Sequence, residues 1–168
     1  MVSSDVPNRA ALLDELVREM RWGSALSVLF SHVMATRAGL RSTDLEALDI
    51  LDLTGPIPAG RLAELTGLTT GAVTTLIDRL EEAGCVARTP DAADRRRVIV
   101  HPLPAPEWLV DATGQAYELM QRGFENLCQR YDDDDLARVL EFLRGANASA
   151  RESIAQVRRE SAAHSDLN

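Results

Sequence analysis

The sequence predicts a mainly α-helical protein with a small β-wing, in which long helices at both chain ends flank a compact middle region. Apolar residues recur at three- and four-residue steps over most of the chain, which is typical of amphipathic helices. β-Prone runs occur only near residues 85–101, where a polar, turn-rich linker separates two of them. We therefore expect three regions within one compact chain without an independent linker: 1–41, 42–103 and 104–168.

The first helix is predicted over residues 8–38, because its apolar positions form a broad stripe at helical spacing, and Gly39 is placed to end it. Ser42 or Thr43 is expected to cap a second, shorter helix, with Asp44 favourably placed in its first turn. The sequence Thr54-Gly55-Pro56 should end that helix.

The middle region contains two short helices separated by a glycine turn. The first is predicted over Pro58–Thr66 and is stopped by Gly67. Thr69 then serves as the N-cap of a helix that reaches Ala83, where Gly84 ends it. The runs 85–89 and 98–101 follow as a β-hairpin, and the whole unit is a winged helix-turn-helix.

Two more helices complete the chain. One is expected from Glu107 to about Arg130, and another follows four consecutive aspartates at 132–135, with residues 161–168 as a frayed tail. The aspartates are interpreted as a helix-capping run, since the calcium-loop pattern of alternating acids and a glycine is missing. The long end helices outreach the small middle, so we expect them to be N- and C-terminal dimerisation helices of a homodimer.

Composition restricts the possible classes of protein. The chain has 168 residues, of which 45% are hydrophobic and 26% charged, as in one folded domain. It contains no apolar run of about 18 residues, and Met1–Arg9 lacks one as well, so we expect no membrane span, no signal peptide and a cytoplasmic location. Two cysteines and three scattered histidines predict no disulfide scaffold, metal site or cofactor.

The charge balance is unusual for a protein that would bind nucleic acid, because the formal net charge is −8. All eighteen basic residues are arginines. Residues 61–97 contain six arginines and six acids, so this segment is neutral and the remainder carries the whole negative charge. Arg95-Arg96-Arg97 is the one basic run in that segment, and it can contact phosphate while the acidic remainder suppresses loose binding.

The helix that starts after Thr69 has two contrasting faces. Its apolar face is predicted to be Val73, Leu76, Ile77 and Leu80. The opposite face presents small and hydroxyl-bearing residues near its N-terminus and acids further on, the full set being Gly71, Thr75, Asp78, Arg79 and Glu82. This polarity suits a helix whose N-terminus enters a major groove, where Thr70, Thr74 and Thr75 offer hydroxyls and methyl groups and Gly71 permits close backbone approach.

The hairpin linker supplies the stronger indication of DNA binding. Three consecutive arginines at its tip are electrostatically costly unless an anion meets them, and arginine favours the narrow minor groove of A/T-rich DNA. The alternative is a solvated turn in which Asp91 and Asp94 balance the arginines.

The middle region resembles the MarR family of regulators. The resemblance rests on LAELTGLT at 62–69, VTTLIDRLEEAG at 73–84 and DAADRRR at 91–97. It implies a homodimeric transcription regulator, here expected to be a repressor, that reads a palindromic operator in double-stranded DNA. On the family's Asp-x-Arg wing motif, Arg96 enters the minor groove and Asp94 orients it, while Arg79 contacts phosphate or braces the wing aspartate. The predicted DNA-contacting set is Thr69, Thr70, Gly71, Thr74, Thr75, Arg79, Asp94, Arg95, Arg96 and Arg97.

The family also implies a possible small-molecule effector between the dimerisation helices and the winged unit. Trp22, His32 and Trp108 are candidates for lining such a pocket, with core packing as the alternative. The chain departs from the family where Pro102-Leu103-Pro104-Ala105-Pro106 follows the wing, and its first helix has no cysteine for peroxide sensing. Cys85 and Cys128 are interpreted as small core residues.

Two other classes of function were compared with DNA-binding regulation. A winged-helix interaction protein that has lost DNA binding would fit the net charge of −8 and the acids on the second helix of the helix-turn-helix. An enzyme is not expected, because His32 and its serine neighbours lack a nucleophile elbow and the chain has no glycine-rich phosphate loop.

Overall fold

The computed structural model describes residues 8–165 of the chain and the side chains of residues 8–161. Its helices are α1 Arg9–Ala38, α2 Ser42–Thr54, α3 Ala59–Thr66, α4 Thr70–Glu82, α5 Glu107–Cys128 and α6 Asp133–Ser165. Its strands are β1 Ile57–Pro58, β2 Val86–Pro90 and β3 Val98–Pro102. The chain divides into two units between Tyr117 and Glu118. The winged helix-turn-helix, α3–α4–β2–β3, lies in the first unit.

The predicted first helix is confirmed, but the start of the second differs from the prediction. Gly39 ends α1 in the left-handed conformation with φ +67°, which glycine adopts at no steric cost. Arg41, rather than Ser42 or Thr43, is the N-cap of α2. The Arg41 backbone N–H donates to the Asp44 carboxylate at 3.4 Å, so the first-turn acid binds the N-cap backbone as the third helical residue of a capping box does.

The helix-turn-helix follows the prediction closely. The Thr69 hydroxyl accepts a hydrogen bond from the Ala72 N–H at 3.3 Å, as an N-cap should. Gly67 forms the turn with φ +73°. The predicted apolar face of α4 is also confirmed, because each of its four residues is at most 2% exposed: Val73, Leu76, Ile77 and Leu80.

The sheet has one strand more than the sequence predicted. The strand order is β1–β3–β2 and both pairings are antiparallel, with Ile57 opposite Val100 and Val86 opposite Pro102. Pro58 therefore belongs to β1, and α3 begins one residue later than predicted. A two-residue strand beside prolines has no apolar alternation, so its existence depends on the distant partner strand alone.

The core of the first unit is built from α2, α3, α4 and the sheet, with Leu109 from α5. Its fully buried members include Leu51, Leu62 and Val100, each 0% exposed. Cys85 is buried in this core, as expected, whereas Cys128 is only partly buried. This core fixes the position of α4 relative to the wing.

The second unit contains the end of α5 and all of α6. The Asp132 carboxylate accepts the Asp135 N–H at 2.8 Å, so the acidic run caps α6. The helix continues to Ser165 instead of fraying from Ser161. No residue of this unit is buried within the part of the chain whose side chains are described.

Two expectations concern residues that lie outside this description. These are the absence of a signal peptide, which depends on residues 1–7, and the last three residues of the predicted tail. Over the described stretch, no helix is both long enough and apolar enough to traverse a lipid bilayer.

Candidate nucleic-acid interface

The N-terminal half of α4 presents a continuous exposed surface. Thr69, Thr70, Gly71, Thr74 and Thr75 are all exposed, while the opposite face of the helix is packed into the core. The sequence therefore folds so that its small and hydroxyl-bearing residues stand at the free N-terminal end of the helix, where unpaired backbone N–H groups attract anions.

Two of the threonine hydroxyls already donate hydrogen bonds within the helix. Thr74 Oγ1 donates to the Thr70 carbonyl at 2.9 Å, and Thr75 Oγ1 donates to the Gly71 carbonyl at 3.2 Å. Each hydroxyl proton is thereby used, while the oxygen lone pairs remain able to accept. In a major groove, these oxygens suit the amino groups of adenine and cytosine better than the acceptor atoms of guanine.

Gly71 has no packing reason to be glycine. A Cβ added at this position meets no atom within 4 Å among the described residues. Glycine inside a helix costs about 1 kcal/mol relative to alanine, so its presence is not explained by the fold of this chain. The bare backbone at this point leaves room for close approach of an external partner.

Arg79 is held by a carboxylate of α2. Its guanidinium Nη2 donates to Asp44 Oδ1, and its Nε donates to Asp44 Oδ2 at 3.2 Å, a bidentate arrangement. The Asp44 side chain is only 3% exposed. Hydrogen bonding to Asp44 raises the pKa of Arg79 and outweighs the opposing effect of burial. The carboxylate that binds Arg79 is thus Asp44 and not Asp94 of the wing.

Arg88 of β2 bridges to the acidic C-terminal half of α4. Its Nη2 lies 2.5 Å from Asp78 Oδ1, and its Nη1 lies 3.4 Å from Glu81 Oε2. Its Nη2 also donates to the Thr74 carbonyl at 3.1 Å. One cation therefore faces two of the three acids on the exposed side of the helix, which lowers their repulsion toward phosphate.

The wing loop between β2 and β3 is ordered by its two aspartates. Asp91 Oδ1 accepts the Ala93 N–H at 2.8 Å, and Asp94 Oδ1 accepts the Arg96 N–H at 3.0 Å. These are Asx turns, in which a side chain replaces a backbone acceptor. The Asp91 N–H also donates to the Arg97 carbonyl at 2.9 Å, which closes the loop.

The arginines of this loop remain open to solvent. The Arg96 side chain is 94% exposed, with its Nε 3.5 Å from Asp94 Oδ1. Arg97 is 56% exposed and lies 3.9 Å from Asp91 Oδ2. Arg95 is exposed as well. The structure thus places Asp94 and Arg96 close together at the tip of the wing.

The three residues predicted to line an effector pocket are not brought together. Trp22 and His32 are both exposed on α1, and the His32 ring nitrogen lies 3.5 Å from the Ser42 hydroxyl. Trp108 is 40% exposed on α5. A cavity of about 350 Å³ does occur in the first unit, but other residues line it, among them Leu48, Leu109 and Tyr117.

The sequence-based prediction missed Asp44 and Arg88 as parts of this surface. The sequence indicates only a helix-terminus effect for Asp44 and a strand position for Arg88. Asp44 acts through Arg79, which is 35 residues away along the chain, and Arg88 acts through residues of α4, a different element from its own strand β2. Arg88 has a local signal, since a charged residue that directly follows the apolar run 85–87 indicates a bridging partner. Asp44 has none, because it stands among polar residues at a helix start.

The comparisons with known proteins agree with this geometry. Residues 40–98 match the model of the MarR family. An uncharacterized HTH-type transcriptional regulator, YcgE of Bacillus subtilis, is 38% identical over 136 residues, which cover 81% of this chain and 86% of that protein.

Solved structures show the same fold at lower sequence identity. A MarR family protein from Bacillus stearothermophilus has a TM-score of 0.61 at 22% identity, covering 86% of this chain and 99% of its own. The transcriptional regulator Tm0710 from Thermotoga maritima has a TM-score of 0.56 at 21% identity, covering 84% of this chain and 98% of its own. The family consists of non-enzymatic DNA-binding proteins. The chain belongs to the MarR family of winged-helix transcriptional regulators.

Proposed function

We propose that this chain acts as a homodimeric repressor that binds a palindromic operator, with α4 in the major groove and Arg96 in the adjacent minor groove. The observation that carries the proposal is the wing: Arg96 is 94% exposed beside Asp94 in an ordered loop. Arginine is favoured in narrow minor grooves, where the negative potential of DNA is strongest.

The exposed tip of α4 provides the second contact. Thr69 is the N-cap of α4 and Thr70 its first residue, so both stand at the helix N-terminus, where backbone N–H groups favour phosphate. Thr74 and Thr75 then offer acceptor oxygens further along the groove. Few strong base contacts are available, so specificity should depend substantially on groove shape.

The acidic net charge weighs less against DNA binding than the sequence indicated. Arg88 faces Asp78 and Glu81, so the acids nearest to the proposed interface are paired. Arg79 is paired with Asp44 and acts chiefly by positioning α4. Its side chain is still 28% exposed to solvent, which leaves part of the guanidinium accessible to a phosphate.

A second copy of the chain accounts for the apolar surface of the end helices. In α1, Leu13, Leu16, Met20 and Leu29 are between 37% and 57% exposed, and such a stripe favours association with another helix. Two copies related by a two-fold axis would present two α4 helices to half-sites about one helical turn apart. A protein in the cytoplasm that occupies such a site excludes other proteins from it, which is the simplest route to repression.

The decisive experiment begins with selection of an operator from a random duplex pool. The affinity of Arg96→Ala for this operator is then measured over a range of salt concentrations, with Arg144→Ala as the control for removal of one exposed charge. We expect the wing variant to bind at least tenfold more weakly, and the salt slope to fall by about 0.9 for each phosphate that the variant no longer neutralises. Equal affinity and equal slope for Arg96→Ala and the wild type would contradict the proposal.

The alternative is an interaction protein that keeps the fold without binding DNA. The exposed Asp49, Asp52 and Glu82 favour it, since they stand in the same unit as the wing. Binding to a mixed-sequence duplex at low salt separates the two functions. Complete absence of binding at low salt would support the alternative, whereas salt-sensitive binding would support the regulator.

A further inference from the structure

The cavity of the first unit has an unusual combination of apolar walls and unpaired negative charge. It is formed by α2, α5 and the proline-rich segment after β3, and its volume of about 350 Å³ is in the range of small-molecule sites. Leu48 and Leu109 contribute apolar surface, while Asp49 and Asp52 are its charged members. No arginine or histidine lines it among the residues that the structure describes.

The two carboxylates have no compensating partner among the residues that the structure describes. They are three residues apart on α2 and so share one face of the helix. Neither forms an ion pair or a hydrogen bond within the described part of the chain. Burial chiefly, and then the charges of Asp52 and Glu46, raise the pKa of Asp49.

An aromatic ring stands beside these carboxylates. Tyr117 lines the cavity, and its ring packs edge-on against Phe30 with the centroids 5.5 Å apart. Burial and the charges of Asp49 and Asp52 raise the pKa of Tyr117, so its hydroxyl stays neutral at physiological pH. A fixed aromatic ring next to carboxylates is well suited to a positively charged head group, which gains from both the ring and the acids.

We infer that this cavity binds an amphipathic organic cation, with the apolar body against Leu48 and Leu109 and the positive head at Asp49, Asp52 and Tyr117. An anionic ligand would meet two carboxylates without a basic counterpart and is disfavoured. The inference rests on the proposed function in one respect, because an effector role for the cation requires that the chain binds an operator. Cation binding itself does not require DNA and is tested without it.

The cavity also adjoins the residues that position α4. Leu45 of α2 lines it, and the preceding residue, Asp44, binds Arg79. Occupation of the cavity therefore acts on the helix turn that fixes the proposed recognition helix. A bound cation can therefore change the position of α4, and with it the affinity for DNA, through residues that adjoin the cavity.

The test uses three naphthalene compounds that share one ring and differ in the head group: 2-naphthylmethylammonium, 2-naphthylmethanol and 2-naphthoate. Each is titrated into the full chain by calorimetry in the absence of DNA. We expect the ammonium compound to bind at least tenfold more tightly than the carboxylate, with the alcohol between them. Equal or tighter binding of the carboxylate would overturn the inference, and so would failure of the ammonium compound to bind.

The double variant Asp49→Asn/Asp52→Asn locates the site. It retains the size of both side chains and removes their repulsion, and we expect it to lose the ammonium preference while its affinity for the alcohol is unchanged. The control Asp111→Asn/Glu152→Gln removes two exposed charges outside the cavity and should keep the preference. An equal loss in both double variants would overturn the assignment to this cavity. The single variant Asp52→Asn provides the same comparison with a smaller change.

The regulatory step is measured separately on the selected operator. We expect saturating 2-naphthylmethylammonium to weaken operator binding of the wild type by at least threefold and to leave the Asp49→Asn/Asp52→Asn variant unaffected. Cation binding with no change in operator affinity would overturn the effector role. Failure of the wild type to bind any duplex would instead contradict the proposed function and would leave the calorimetric result standing.

Discussion

Asp44 and Arg79 link the start of α2 to α4 through two hydrogen bonds and opposite charges. The Asp44 side chain is 3% exposed and that of Arg79 is 28% exposed. A buried carboxylate must be paired, because an isolated charge away from water is strongly unfavourable. The pair therefore restricts α4 to orientations in which the guanidinium reaches this carboxylate.

Replacement of this acid should reduce stability markedly. Asp44→Asn keeps the shape of the side chain but leaves the Arg79 guanidinium without its counter-charge, and we expect a loss of roughly 2–4 kcal/mol in the free energy of unfolding. Urea denaturation measures the loss. Glu46→Gln, an exposed acid on the same helix, is the control and should change stability little. If Asp44→Asn unfolded at the same urea concentration as the wild type, the Asp44–Arg79 pair would not contribute to stability.

In contrast to replacement of Asp44, replacement of Asp49 should raise the free energy of unfolding. Burial and neighbouring acids raise its pKa above 3.8 in the folded protein, so deprotonation is less favourable there than in the unfolded chain. Its contribution to stability is therefore lost as pH rises from the unfolded value through the raised folded value. We expect Asp49→Asn to be more stable than the wild type at pH 7, by less than about 1 kcal/mol because solvent screens the exposed carboxylate.

Urea midpoints of Asp49→Asn and the wild type between pH 7 and pH 4 check this prediction. The difference should begin to shrink as the pH approaches 4, because Asp49 of the folded wild type takes up a proton at a higher pH than Asp49 of the unfolded chain. A constant difference over this pH range would mean that the carboxylate charge is not the cause.

Gly71 separates stability from DNA binding at a single residue. Gly71→Ala and Gly71→Leu should each stabilise the free protein by about 0.5–1 kcal/mol, because glycine is a poor helix former and a Cβ at this position meets no described atom. Operator affinity should fall slightly for alanine and strongly for leucine, as side-chain bulk obstructs the approach. Thermal denaturation and a duplex titration measure the two effects. Normal binding by Gly71→Leu would argue against close contact at this point.

At the scale of elements, Arg88 connects the wing to α4, the proposed recognition helix. It belongs to β2, yet its guanidinium contacts Asp78, Glu81 and the Thr74 carbonyl of α4. The hairpin and α4 are thus joined by charge as well as by the apolar core. The relative placement of their two proposed DNA contacts depends on this junction.

Loss of the junction should weaken operator binding. Arg88→Met leaves Asp78 and Glu81 without their cation, so both carboxylates repel the phosphates of the bound duplex. If this repulsion costs about 1 kcal/mol, the affinity for the operator should fall roughly fivefold. Arg88→Met/Asp78→Asn removes one of the freed charges and should recover part of the loss. Titration at two salt concentrations measures both variants. Failure of the second substitution to restore any affinity would mean that Arg88 acts through wing geometry instead.

Elements with local signals were predictable from the sequence, and those that depend on distant partners were not. The bounds of α1, α4 and α5 follow from helical periodicity and caps that involve neighbours in sequence. Strand β1 has only two residues and exists because β3 pairs with it. The partners of Arg79 and Arg88 likewise depend on how helices and strands come together, which no local pattern specifies.

At the scale of the whole molecule, apolar side chains of the end helices remain uncovered in a single chain. Residues of α6 such as Leu140, Phe142 and Leu143 are 47–48% exposed. A helix of 33 residues derives most of its stability from packing of its apolar face. The second unit therefore requires a partner surface, for which another copy of the chain is the proposed source.

Charged substitutions on α1 test this arrangement. Leu13→Arg/Met20→Arg places two cations one heptad apart on the exposed apolar stripe, away from the core of the first unit. We expect the molecular mass in sedimentation equilibrium to fall from that of two chains to that of one, and operator affinity to fall at least a hundredfold. Leu53→Arg, at an 86% exposed position of α2, is the control and should remain dimeric. A dimeric mass for the α1 variant would exclude this stripe from the interface.

The ordered wing has a consequence for the range of promoters that this protein can serve. Hydrogen bonds fix the backbone of the loop before any duplex arrives, so little chain entropy remains to be lost at that point on association. The arginine side chain itself stays free to choose its rotamer. A fixed loop backbone with an adaptable arginine side chain tolerates variation in the width of the minor groove. We therefore expect the protein to regulate several operators that differ in base sequence but share a similar groove shape.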